Sequence, residues 1–292
     1  MQATSAEWDI KFVEKSRVHD DAVSGCALLP IDRDRSLLVT TSLDGGLKVQ
    51  TLDLDPNSDK KQSEGAIDSV GGITSTLSRY MTRQMAIVEK SKLSEYRSHT
   101  SRDPLACLSV AMDNQGGKVA FAGGHDDVVL AYGINSACAV ASVYSHRDAV
   151  TGLDMLHRPP ITKQSALWSK NSTHIMVSGS WDATIKVWSV VVANGETVSI
   201  DREPLAELFD ADSPIVCVSV ASIPDEDGIV VAAGSADGSF CVWNLHSDGV
   251  QVVIHKEPAK RGAGPCSVIR WSSELGKLTL FTGFNTGKVA SY

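Results

Sequence analysis

One short unit recurs five times along this chain, and a chain built from such units has few ways to fold. In its clearest copy, Ser178-Gly179-Ser180-Trp181-Asp182-Ala183-Thr184-Ile185-Lys186-Val187-Trp188, small and hydroxyl residues lead to an Asp. An alternating run follows and ends on an aromatic. Asp182 and Ala183 suit a tight turn, and Ile185, Lys186 and Val187 alternate as a half-buried strand does. The unit therefore reads as two strands joined by a turn. Aligned on an Asp or Asn, it recurs at 40–50, 122–132, 233–243 and 282–292, with that residue at 44, 126, 182, 237 and 285. Three of the four gaps are about 50 residues, and the first is longer. Self-similarity at such a period marks an array of like units that bury their apolar faces on one another.

The remaining residues fit an array of strands. Hydrophobic residues make up 42% of 292, enough for a sizeable core, and a regular repeat argues for one domain. No apolar run approaches the length of a membrane-spanning helix. The polar, acidic start, Met1 to Trp8, is unlike a secretory signal. A net charge of −8 argues against broad binding to a nucleic-acid backbone. The six cysteines include no C-x-x-C pair, and Cys26, Cys107, Cys217 and Cys266 each fall in the apolar run that opens a repeat. They read as small buried strand residues in a reducing compartment. Nothing in the pattern asks for a metal or another cofactor.

Five units are expected, at about 10–98, 101–140, 141–200, 201–250 and 251–292. Pro56 to Glu89 breaks the period of the first. This polar insertion is expected between the third and fourth strands of its unit, with residues 92–97 resuming the sheet as the outermost strand. Within it Val70, Ile73, Leu77 and Val88 fall near helical spacing, beside Arg79 and Arg83.

The repeats resemble the WD40 repeat, a four-stranded propeller blade with a G-H…W-D signature. The third and fourth copies match best. Gln50 stands where the first would carry Trp, and Trp188-Ser189 and Trp243-Asn244 replace the WD dipeptide. The resemblance implies an all-β propeller with about five blades present. Such propellers usually have seven. Either about two blades are missing from the carboxyl end, which is the favoured expectation, or residues 8–15 close a five-bladed ring.

It also implies a hydrogen-bonded chain in each blade, from a loop His through a strand hydroxyl to the turn Asp and the Trp. His146, Ser180, Asp182 and Trp188 form the full set, and His19-Asp20-Asp21-Ala22-Val23 echoes the loop of His146. The first blade offers His19, Ser42 and Asp44, and the fourth offers Ser235, Asp237 and Trp243 without a loop His. A buried carboxylate needs such donors. A Ser/His/Asp hydrolase reading fails, because the trio recurs in fragments and no G-x-S-x-G elbow or P-loop is present.

The stretches His19-Asp20-Asp21-Ala22-Val23, 40–42, 178–188 and Pro204-Leu205-Ala206-Glu207-Leu208 together resemble the BEACH-domain WD40 family that includes the factor associated with neutral sphingomyelinase activation. That resemblance implies a cytoplasmic, noncatalytic adaptor. Its partners would be proteins such as receptor tails or trafficking factors, and its membrane association would be peripheral, through those partners. Two alternatives remain open: an enzyme-associated propeller with a channel-face active site, and phosphoinositide binding by Arg79 and Arg83. The inner-strand runs 25–28, 107–110 and 217–220 are poor in titratable groups, which disfavours the first.

The residue before each turn Asp is expected at an exposed tip on the face of the loop histidines. Those residues are Leu43, His125, Trp181, Ala236 and Phe284. Trp181 reads either as a partner-binding anchor or as a residue folded back over its neighbours.

Overall fold

The computed structural model describes residues 18–32, 35–53, 92–101, 103–113, 115–144, 146–157, 172–223, 228–246, 248–262, 264–274 and 277–292. These form twenty strands in five antiparallel sheets. The first sheet holds β1 (Val23–Pro30), β2 (Arg35–Ser42), β3 (Gly46–Asp53) and β4 (Lys92–Thr100). The second holds β5 (Leu105–Met112), β6 (Lys118–Gly124), β7 (Val128–Gly133) and β8 (Cys138–Tyr144). The third holds β9 (Val150–His157), β10 (His174–Ser180), β11 (Ile185–Ala193), β12 (Thr197–Ile200) and β13 (Ala206–Leu208). The fourth holds β14 (Ile215–Ser222), β15 (Ile229–Ser235), β16 (Phe240–Leu245) and β17 (Gln251–Glu257). The fifth holds β18 (Cys266–Glu274), β19 (Lys277–Phe284) and β20 (Val289–Ser291).

Each sheet is a meander whose first strand packs on the first strand of the next: β1 on β5, β5 on β9, β9 on β14 and β14 on β18. Among the described residues no comparable packing joins β18 to β1. The sheets thus stand as five blades around one side of a common axis. Blades cover both faces of a middle strand, so β10 and β15 are buried at every residue. The apolar and small sequences HIMVSGS and IVVAAGS suit that position. Outer strands meet solvent, and β17 is exposed at all but its last residue. Apolar clusters lie between blades rather than within them. Ile175, Val177, Ile185 and Val187 of the third blade meet Val231, Ala233, Cys241 and Trp243 of the fourth.

The structure redraws three details. Ala206–Leu208, expected to open the fourth blade, pairs with Val187, Lys186 and Ile185 of β11. The third blade therefore has a divided outer strand, with β12 beside Val190–Ala193 and β13 beside the other end of β11. Proline and charged residues between Ile200 and Ala206 (Asp201, Arg202, Glu203, Pro204) break the strand into its two pieces. Cys26, expected to be buried, is exposed, whereas Cys107 and Cys266 are buried as expected and Cys217 is half-buried. β3 ends at Asp53 and β4 begins at Lys92, so the insertion does join the third and fourth strands. Its own residues, with Arg79 and Arg83, lie outside the described ones, as do residues 8–15.

The third correction concerns the fifth turn. Four of the five turns close on an N–H that donates to a carbonyl three residues back: Gly45 to Ser42, Ala183 to Ser180, Gly238 to Ser235 and Gly287 to Phe284. The closing residue has positive φ in every case, 78° at Gly45 and 82° at Gly287. By that register Thr286, not Asn285, holds the place of Asp44, Asp182 and Asp237. Asn285 is then the tip residue. Phe284 is half-buried at the strand end, in the place of Ser42, Ser180 and Ser235. Gly287 decides this, because glycine takes the left-handed conformation without a Cβ clash.

Candidate functional site

Two places gather chemistry: the loop end of the blades, where the turn carboxylates sit, and the inner strands around the axis. At the loop end of the third blade, Trp188 Nε1–H donates to Ser178 Oγ at 2.9 Å, and Ser178 Oγ lies 2.8 Å from His146 Nε2. His146 Nδ1 is 3.1 Å from Asp182 Oδ2 and 3.0 Å from Thr184 Oγ1. The Thr184 hydroxyl donates to Asp182 Oδ1 at 2.6 Å. These distances assign the protons along one direction, from the indole N–H to Ser178, from the Ser178 O–H to Nε2, and from Nδ1–H to the carboxylate. The N–H groups of Arg147 and Thr184 complete the set around Asp182.

Ser178 is thus the hydroxyl of the chain. Ser180, the residue expected there, does different work. It accepts the Asp182 N–H at 3.0 Å and donates to the Asp148 carbonyl at 2.9 Å, which holds the turn. The first blade follows the same rule. Thr40 Oγ1 lies 2.8 Å from His19 Nε2, while Ser42 Oγ accepts the Asp44 N–H at 3.1 Å. Asp44 is held by His19 Nδ1 at 3.2 Å and by the N–H groups of Asp20 and Gly46. Gln50 replaces the indole, and its Oε1 is buried without a partner.

The fourth blade has no loop His, and its chain is built otherwise. Trp243 Nε1–H donates to Asp210 Oδ2 at 2.8 Å, a partner that the sequence reading missed. Asp237 Oδ1 accepts from the N–H and hydroxyl of Ser239 at 2.9 and 2.6 Å. Ser235 is buried at the strand end beside this turn.

Charge follows these bonds. Burial alone would raise the Asp44 carboxyl, but the N–H groups of Asp20 and Gly46, with His19 and Ser42, outweigh it and hold Asp44 at about 2. Asp182 is likewise lowered against the pull of burial, by Arg147 N–H, Thr184 and His146. Burial lowers His146 more than Asp182 raises it, so it stays neutral. Ser178, which bonds His146, is fully buried with its hydroxyl between the Trp188 indole and His146, so the hydrogen-bonded chain lies inside the blade rather than in an open cleft.

Around the axis, Ala27, Ser109, Asp154, Ser219 and Arg270 hold equivalent places on the five inner strands, each opposite the equivalent position of its second strand. Asp154 Oδ2 accepts from Ser219 Oγ at 3.0 Å and from Val220 N–H at 2.9 Å. Arg270 Nη1 donates to the Val218 carbonyl at 3.0 Å. Burial raises the Asp154 carboxyl, against these bonds and the nearby Arg270. The inner-strand runs weighed in the sequence left out Asp154 and Arg270, and counting the repeat across all five blades would have found them. Their bonds run between blades, so they tie the third, fourth and fifth blades together. Among the described residues no group of three or more His, Cys, Asp or Glu could hold a metal ion. No helix there is long and apolar enough to cross a membrane.

The tips divide. Trp181 is 47% exposed and its ring lies 5.5 Å from that of His125, tilted by 51°. The two thus meet across the boundary between the second and third blades. Leu43 is exposed by itself on the first blade, Ala236 is half-buried, and Phe284 is no tip residue. Asp126, Asp127, Asp148 and Asp182 cluster near the aromatic pair. Burial first, and then the neighbouring carboxylates, push the Asp127 carboxyl up.

A sequence profile described as the WD domain, G-beta repeat, matches residues 138–189 and 202–244, which span much of the third and fourth blades. The fold is that of a WD40 β-propeller, with five blades among the described residues. The propeller is 34% identical to protein Rae1 of Drosophila melanogaster over 106 residues, which is 35% of this chain and 28% of Rae1. Its fold is similar to the crystal structure of the RRP9 WD40 repeats, at 17% identity and a TM-score of 0.55 over 94% of this chain and 61% of that one. It is similar to U3-55K as well, at 17% identity and a TM-score of 0.53 over 94% of this chain and 62% of that one. The chain therefore spans less than two thirds of each of these proteins. None of the three matches names a BEACH domain, so the more specific resemblance gains no support from them.

Proposed function

We propose that this propeller is a noncatalytic scaffold that docks a basic protein segment on its loop face. WD40 propellers generally serve as protein-interaction scaffolds. The observation that carries the reading is the Trp181–His125 pair, a half-exposed aromatic anchor at a blade boundary, with Asp126 and Asp127 directly after His125 in the chain. Rigid strands hold both tips, so an incoming chain would meet a preformed surface. An indole face and nearby carboxylates suit Arg or Lys side chains. All six thiols are unpaired, as a reducing compartment such as the cytoplasm keeps them. The BEACH resemblance of the sequence would make the partners receptor tails or trafficking factors.

Affinity capture followed by mass spectrometry would identify a partner, which is then titrated against Trp181→Ala. Loss of the anchor should weaken binding by about 1–3 kcal/mol with the melting temperature nearly unchanged. A large fall in melting temperature with normal binding by the folded fraction would make Trp181 a packing residue and sink the proposal.

A further inference from the structure

Consecutive blades meet on one plan. Each inner strand has a bulge one residue from its start, at Ser24, Ala106, Thr151, Val216 and Ser267. Where two blades meet, one side chain of the bulge, or of the residue after it, donates to a carbonyl of the next blade. Ser24 Oγ reaches Leu105 O at 2.6 Å, Cys107 Sγ reaches Val150 O at 3.3 Å, Thr151 Oγ1 reaches Ile215 O at 2.6 Å, and Cys217 Sγ reaches Cys266 O at 3.1 Å. Every acceptor is the residue just before the next bulge. That place carries an aliphatic side chain at Leu105, Val150 and Ile215. Between the fourth and fifth blades it carries a thiol, Cys266, and the donor that faces it is a second thiol, Cys217.

The glycines beneath these side chains show how close the two sulfurs come. Gly123, Gly179 and Gly234 lie opposite the residue that follows the bulge, which is Cys107, Gly152 and Cys217 in turn. A Cβ on Gly123 would lie 2.6 Å from Val150 Cγ1, and one on Gly179 would lie 2.5 Å from Ile215 Cγ2. On Gly234 it would lie 2.6 Å from Cys266 Sγ and 2.9 Å from Cys217 Sγ. Both sulfurs therefore crowd the one space that glycine leaves open. The hydrogen bond to Cys266, and then burial, raise the Cys217 thiol well above its ordinary value, while the same bond lowers that of Cys266. Cys266 thus yields the thiolate, the reactive form of a cysteine. Cys217 is half-buried, and Cys266 opens β18 directly after its loop, so the pair lies at the loop end of the boundary.

We propose that Cys217 and Cys266 are a redox modification site, which a peroxide closes into a disulfide between the fourth and fifth blades and a thiol reductant reopens. The Cys266 thiolate attacks one oxygen of hydrogen peroxide. The S–O bond forms, the O–O bond breaks, and hydroxide leaves with Cys266 as a sulfenic acid. The Cys217 sulfur then attacks the Cys266 sulfur. The S–S bond forms, the S–O bond breaks, and the thiol proton leaves with the oxygen as water. In sum the two thiols lose two electrons to the peroxide, which becomes two waters. The thiol–carbonyl hydrogen bond between the two blades gives way to a covalent one.

The test treats the folded full chain with hydrogen peroxide, in a Cys26→Ser/Cys138→Ser background that removes the two exposed thiols. Thiols are then counted in urea, and a non-reducing peptide map locates any bond. The chain should lose two thiols, a peptide joining Cys217 to Cys266 should appear, and dithiothreitol should restore both thiols. Cys266→Val in the same background copies the residue that Val150 supplies at the equivalent place. It should melt like the parent and keep its thiols at the same dose. Four results would each overturn the proposal. One is a folded parent that keeps both thiols at doses that oxidise free cysteine. The others are a sulfinic acid in place of the disulfide, a bond from Cys217 to another cysteine, and equal thiol loss in folded Cys266→Val.

Discussion

Ser178 and Ser180 are two residues apart on one strand and face the same side, yet they do different jobs. Ser178 sits between an indole and an imidazole and serves both. Ser180, at the strand end, has only backbone within reach and ties the turn. The sequence pattern Ser-Gly-Ser-Trp-Asp marks both hydroxyls and does not say which one the Trp188 indole reaches. Pairing does: Ser178 lies opposite Lys186, two residues from Trp188, so its hydroxyl and the indole share a face. Removing it should cost about 1–3 kcal/mol, since the Trp188 N–H and His146 Nε2 both lose a buried partner. Urea denaturation of Ser178→Ala, Trp188→Phe and the double variant measures this. The double variant should be less destabilised than the sum of the two singles, because both lose the same bond. Simple additivity would mean that the indole and hydroxyl act independently.

Among elements, the inner strand is where blades are joined. Its bulge turns one side chain towards the next blade, and the sequence meets that need in two ways: a hydroxyl on the bulge, as in Ser24 and Thr151, or a thiol just after it, as in Cys107 and Cys217. The cysteines that look like plain apolar fillers thus donate weak hydrogen bonds, and burial pushes the Cys107 thiol up to about 12, so it stays protonated to do so. Thr151→Val keeps the shape and removes the donor to the Ile215 carbonyl. It should lower stability by about 1 kcal/mol at equilibrium in denaturant, whereas Thr151→Ser should retain most of it. A Val variant as stable as the parent would show that the boundary rests on apolar contact alone.

For the whole molecule, acid tests how far burial rather than pairing holds the titrating groups. Burial and the neighbouring His157 lower His174 to about 4, from an ordinary value of 6.5, and burial lowers His146 as well. A His with a depressed folded value takes up its proton first in the unfolded chain. Stability therefore falls as pH drops through 6.5 and levels off below about 4. Asp44, at about 2, and Asp182, also lowered, then act in the next window: their contribution is present above the unfolded value near 3.8 and is lost as pH falls through the folded values. Denaturant midpoints measured from pH 7 to pH 3 should decline in two stages. His174→Phe should flatten the first stage by about 1–2 kcal/mol after allowance for screening, and an unchanged slope would place the acid sensitivity elsewhere.

The sequence by itself determined the repeat, the strand-turn-strand unit, the five blades found among the described residues and the position of the insertion. Those depend on local alternation and turn chemistry, which a period of about 50 residues repeats often enough to recognise. Tertiary structure alone decided which hydroxyl meets Trp188, that Asp210 accepts the Trp243 indole N–H, and that Ala206–Leu208 belongs to the third blade. It also decided that Thr286 rather than Asn285 takes the Asp position, and that Asp154, Ser219 and Arg270 meet around the axis. Each of these depends on pairing register or on contact between blades far apart in the chain. A shift of register by one or two residues changes which side chains meet while leaving the hydrophobic pattern almost the same.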